Sequence, residues 1–113
     1  MPNIKITTYE LLLTNAEASD FLTGLQHIKR TCDLDELSNV SELLIKLDKI
    51  LVDELLAEKS NINIELNYTD VKRLVWLLDI LVRKLSKEGV FMADLYHNAF
   101  SLYNIVRDIS LKR

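Results

Sequence analysis

The chain has 113 residues, of which 49% are apolar and 27% charged, a globular balance that excludes a disordered or collagen-like polymer. Two Gly and one Pro are too few for an all-β sandwich or a Gly-rich phosphate loop. Fourteen Lys and Arg against 17 Asp and Glu leave a net charge of −3, which disfavours non-specific binding to nucleic acid.

The N-terminus, Met1-Pro2-Asn3-Ile4-Lys5, lacks the charged and apolar regions of a signal peptide. Tyr9, Leu11 and Leu13 alternate with period two, which predicts a strand over Tyr9–Leu13. Ile4 and Ile6 have the opposite parity, so a longer strand would have to bulge or break near Thr7 and Thr8. The competing reading makes Thr8 a cap and Tyr9–Leu13 a helical turn. Thr14 and Glu17 form a capping-box pattern ahead of a helix over about Asn15–Lys29, with Ala18, Phe21, Leu22, Leu25 and Ile28 on one face. Gly24 either weakens this helix or admits a close neighbour.

Asp33-Leu34-Asp35-Glu36 is acidic but lacks the Gly and Glu spacing of a calcium loop, and is expected to be a solvated connection. A second helix is predicted over about Val40–Glu58, capped by Ser38 or Asn39. Ile62, Ile64 and Leu66 alternate again and predict a second strand. The most regular apolar face belongs to a third helix, about Asp70–Lys87. Its stripe runs through Val71, Leu74, Val75, Leu78, Leu81, Val82 and Leu85, with Thr69 as cap and Gly89 as stop. A fourth helix, about Phe91–Leu111, carries Leu95, Ala99, Leu102, Val106 and Ile109 at heptad spacing.

Shifting the sequence by 53 positions lays Tyr9–Thr14 on Ile62–Asn67 and Phe21, Leu25 and Ile28 on Leu74, Leu78 and Leu81. One explanation is a β-α-α duplication, with units 9–58 and 62–111. The other is that any strand followed by a helix repeats this pattern. Either way, pairing the two strands antiparallel satisfies their inner edges. The expected fold is therefore a single mainly α domain over residues 1–113, with four helices and a two-stranded antiparallel sheet.

Chemistry-bearing residues are sparse. His27 and His97 lie in no metal-ligand spacing, and Cys32 has no local His partner and no second Cys. No catalytic residue, cofactor or metal is expected. Asp79 is explained by an i+4 ion pair with Arg83. One candidate contact surface is Trp76, Leu77 and Ile80, which lie off the main stripe of the third helix and are flanked by Arg73 and Lys84. The alternative is that this helix is central and buried on two sides, covered by the N-terminal segment or the fourth helix. Tyr96, Phe100 and Tyr103 form a second candidate, against ordinary packing at a core margin. The cations Lys72, Arg73, Arg83, Lys84 and Lys87 form the best basic stripe, interrupted by Asp79.

The expected function is a small non-catalytic interaction protein, of adaptor, inhibitor or immunity type, presenting helical surface to a protein partner. A cytoplasmic homodimer without membrane contact is expected. Abundant Asn, Ile, Lys and Leu fit an AT-rich coding sequence such as a mobile element. A small DNA-binding regulator and a structural subunit of a homo-oligomer are the alternatives.

Overall fold

A computed structural model describes residues 9–87 and 93–111. In chain order the elements are β1 (Tyr9–Thr14), α1 (Asn15–Thr31), α2 (Leu34–Leu37), α3 (Ser41–Leu56), β2 (Asn61–Leu66), α4 (Tyr68–Leu85) and α5 (Ala93–Leu111). The fold is mainly helical with one two-stranded antiparallel sheet. Gly89 as helix stop, Phe91 as the start of the last helix and the Ile4–Ile6 parity fall outside the described residues.

The strands pair in the register Tyr9↔Leu66, Leu11↔Ile64 and Leu13↔Ile62. These six side chains share the inner face, because period-two alternation puts every second residue on the same side. Glu10, Leu12, Thr14, Asn61, Asn63 and Glu65 form the exposed outer face. The strand reading of Tyr9–Leu13 therefore holds, since a helical turn there would have left β2 unpaired.

Each strand leads into a helix through a capping box. The Thr14 hydroxyl accepts from the Glu17 amide at 3.1 Å, and the Glu17 carboxylate accepts from the Thr14 amide at 2.9 Å. At the second corner Asn67, not Thr69, is the cap. Its side-chain oxygen accepts from the Asp70 amide at 2.7 Å, and Asp70 Oδ2 accepts from the Asn67 amide at 3.2 Å. The helix begins one residue after the cap, at Tyr68, so Thr69 already lies inside it. The two corners use the same device 53 positions apart.

Asp70 is also the one buried charged residue among those described, and Lys46 of α3 reaches it at 2.7 Å. It thus fixes α3 to the start of α4. Asp70→Ala removes the reciprocal cap and leaves the Asn67 amide without its acceptor, so it is expected to cost about 1–3 kcal/mol. The Lys46 end is open to water, and little of that loss should come from the ion pair. Urea denaturation checks this, and an unchanged midpoint would show that the cap contributes nothing.

The acidic stretch expected to be a solvated loop is instead α2. Asp33 precedes it, and Glu36 reaches back to the Asp33 amide at 3.4 Å. The same segment displaces the expected cap of α3. The Ser38 hydroxyl donates to the Asp35 carbonyl at the end of α2, and Val40 occupies the cap position of α3 without a side-chain bond. Helix α3 stops at Leu56, two residues short of the expected Glu58, which takes a left-handed backbone (φ 56°) as the chain turns toward β2.

The core lies between the inner sheet face and helices α1, α3 and α4. Leu74, Leu78, Leu81 and Leu85 are almost fully buried, as their regular spacing implied. Gly24 of α1 sits against Leu81, where a Cβ would come within 3.0 Å of a methyl carbon, so the close-neighbour reading of this glycine is the correct one.

Candidate functional site

The patch expected on α4 is mostly core. Leu77 is 0% and Ile80 9% exposed, and only Trp76 of the three reaches solvent, at 51%. Helix α4 is the central helix and is buried on two sides. Around Ile80 the cover is the α2–α3 segment, with Val40 and Ile80 lining one small cleft. The N-terminal segment ahead of Tyr9, one of the two covers expected, lies outside the described residues. The flanking cations are used within the chain: Arg73 reaches Glu42 of α3 and Lys84 reaches Glu36 of α2, each at 3.4 Å. Glu36 is held below the ordinary carboxylate range by the Asp33 amide first and by Lys84 second. Burial of Leu77 and Ile80 leaves the expected twofold contact no apolar surface at these positions.

The other features of α4 follow from the same geometry. Asp79 pairs with Arg83 at 3.2 Å, the i+4 contact expected from spacing. Lys72 lies over the Tyr68 ring at 5.7 Å. Arg73, Arg83 and Lys84, three of the five cations in the basic stripe, are thus already matched by carboxylates.

On α5, Tyr96 stacks on Phe100 at 5.9 Å, and Arg107 lies over the Tyr103 ring at 5.5 Å. Tyr96 and Tyr103 are half-buried against the core, which is packing at its margin, and Phe100 alone stands out at 43% exposure. Trp76 and Phe100 are single exposed apolar residues of a kind common on monomers.

No sequence pattern marks a second concave surface. A cavity of about 340 Å³ opens between β1, α1 and α5, with α4 as its floor. The heptad spacing of α5 suits near-parallel packing along another helix. Ala99 and Val106 are buried, but Leu102 is only partly covered, Ile109 is 38% exposed, and neighbouring Ile105 is 58% exposed. The reason is that α5 packs chiefly along α4 and leaves a gap toward β1. Tyr9 and Leu11, on the inner sheet face, are half-buried because the same gap lies against them.

The rim of this groove is acidic. Glu10 of β1 and Glu17 and Asp20 of α1 line it, and no Lys, Arg or His does so among the described residues. Asp20 is held in place by the Asn98 amide, which donates to it at 2.6 Å and ties α1 to α5. Glu10 also stands directly across from Glu65 on the outer sheet face. Like charges in opposed positions repel.

Among the described residues no cluster of three or more His, Cys, Asp or Glu could hold a metal ion, and no helix is long and apolar enough to cross a membrane. Burial pushes the Cys32 thiol above its ordinary range against the pull of Lys84. That shift lowers the fraction of thiolate, which is the nucleophilic form. No protein-family model matches the chain, and no curated protein or solved structure matches it.

Proposed function

We propose that the chain is a non-catalytic protein-interaction module, of adaptor, inhibitor or immunity type, whose contact surface is the groove between β1 and α5. The observation that carries this reading is the open apolar cavity flanked by the exposed side chain of Ile105 and rimmed, among the described residues, by carboxylates and small polar groups without a cation. Among the described residues its floor is Leu, Val and Phe without an inward polar group to orient a small polar substrate. An anionic amphiphile such as a fatty acid would meet Glu10, Glu17 and Asp20 at the mouth. A protein segment with apolar side chains suits the floor, and positive charge suits the rim. The surface is helical on the α5 side, through Leu102, Ile105 and Ile109, and strand on the other.

Selection from a random-peptide library on the immobilised chain tests the reading. Ile105→Asp alters an exposed position and should leave the fold intact. Selected peptides are expected to bind this variant about tenfold or more weakly, the loss of one well-buried apolar contact. They should bind Trp76→Ala as they bind the wild type. Peptides insensitive to Ile105→Asp, or a library that yields none, would contradict it.

A further inference from the structure

We propose that this groove receives an extended, basic–apolar segment of a partner protein as a third strand beside β1. The proposal rests on the groove being the contact surface and adds the mode of binding and the chemistry of the ligand. Its first support is the way β1 lines the cavity. Five consecutive residues, Tyr9 to Leu13, border it, whereas β2 lends only Leu66. A cavity lying wholly beneath the sheet would touch alternate residues, because successive side chains point to opposite faces. Contact with both parities fits a space that reaches round the edge of β1 away from β2.

The ladder fixes which backbone groups stand at that edge. The Asn15 amide donates to the Ser60 carbonyl at 2.9 Å, one position beyond the last sheet pair. In an antiparallel ladder hydrogen-bonded and non-bonded pairs alternate. Leu13, Leu11 and Tyr9 therefore turn their amides and carbonyls toward β2. Glu10 and Leu12 turn theirs outward, with the parity of Thr14, whose amide leaves the ladder for Glu17. Two donors and two acceptors thus stand along a groove, in the arrangement a third strand requires.

Side-chain chemistry identifies the segment. Alternate residues of an added strand would continue the inner face beside Tyr9 and Leu11 and meet Leu102, Ile105 and Ile109 of α5, so these must be apolar. The residues between them would fall on the outer face beside Glu10, where Glu10 and Glu65 already oppose one another. Lys or Arg there relieves that repulsion. A second copy of this chain fits worse, because it would bring its own Glu10, Glu17 and Asp20 to an acidic rim. The ligand is accordingly a foreign strand that alternates Lys or Arg with Val, Ile or Leu.

The test uses the full chain and three labelled octapeptides. One alternates Lys with Val, the second replaces each Lys by Glu, and the third is the Lys–Val peptide N-methylated at alternate residues. Fluorescence anisotropy is expected to show binding of the first and about tenfold or more weaker binding of the other two. Amide exchange at Glu10 and Leu12 should slow about tenfold or more on saturation with the first peptide. Equal binding of the Lys and Glu peptides, or no binding of the first, overturns the proposal. Unchanged exchange at Glu10 and Leu12 also overturns it. If library-selected peptides still depend on Ile105 in those cases, the groove remains the contact surface and only the strand mode fails. If none does, both fail. Concentration-dependent dimerisation that protects the same two amides without peptide would assign the edge to a second copy and overturn the foreign-strand proposal.

Discussion

Leu77→Asp is expected to unfold the domain rather than to release a folded monomer. Were Leu77 on a self-association surface, the substitution would only dissociate a dimer. Its side chain is 0% exposed, and the cations four positions before it and seven after it, Arg73 and Lys84, reach α3 and α2. A carboxylate there loses its hydration and gains no partner, since Lys84 and Arg73 are already engaged with Glu36 and Glu42. The penalty for an unpaired buried charge is several kcal/mol, a large part of the roughly 5–15 kcal/mol that holds a domain folded. Far-ultraviolet circular dichroism at neutral pH should show loss of helix. A variant with wild-type helix content and midpoint would contradict the packing of α4.

Leu78→Ala is expected to cost about 2–5 kcal/mol through lost transfer energy and the void left behind. Leu78 is fully buried on the other side of the same helix, in the stripe with Leu74, Leu81 and Leu85. With a urea dependence of about 1–3 kcal/mol per molar, the denaturation midpoint should fall by about 0.7–5 M. A loss below about 1 kcal/mol would mean that the core collapses freely around the site or that Leu78 does not face it.

The two variants probe the part of the fold that periodicity made legible. The stripe of α4, the alternation in both strands, their antiparallel pairing and the Thr14–Glu17 box all follow from local spacing, which the structure preserves. The second buried side of α4 was ambiguous for a physical reason. A helix that is apolar at Leu77 and Ile80 as well as along its main stripe is either an interface or central, and only the neighbouring elements decide. Those neighbours are obscured in the sequence because Asp33 and Glu36 read as solvated acids. Their three-residue spacing is itself a capping-box signal, and it marks the start of α2. The cap at Asn67 was legible in the same way, through Asp70 three positions on.

The groove had no sequence signature. It arises where α5 leans on α4 and departs from β1, a matter of helix placement that heptad spacing does not encode. Leu102 and Ile109 look like core residues in the sequence because they lie on the seam. Their partial exposure follows from the gap between the described parts of α5 and β1. The acidic rim was hidden for a similar reason, since Glu10, Glu17 and Asp20 come from two elements and read separately as an outer-face residue, a cap and a helix-surface charge.

The most direct test of the groove as contact surface is an NMR titration of the isotopically labelled chain with a library-selected peptide. The account predicts shift changes concentrated on β1, around Glu10 and Leu12, and on the flank of α5 carrying Leu102, Ile105 and Ile109. Amides around Trp76 and Phe100 should stay in place. Changes centred on Trp76 or Phe100, with β1 unaffected, would contradict it.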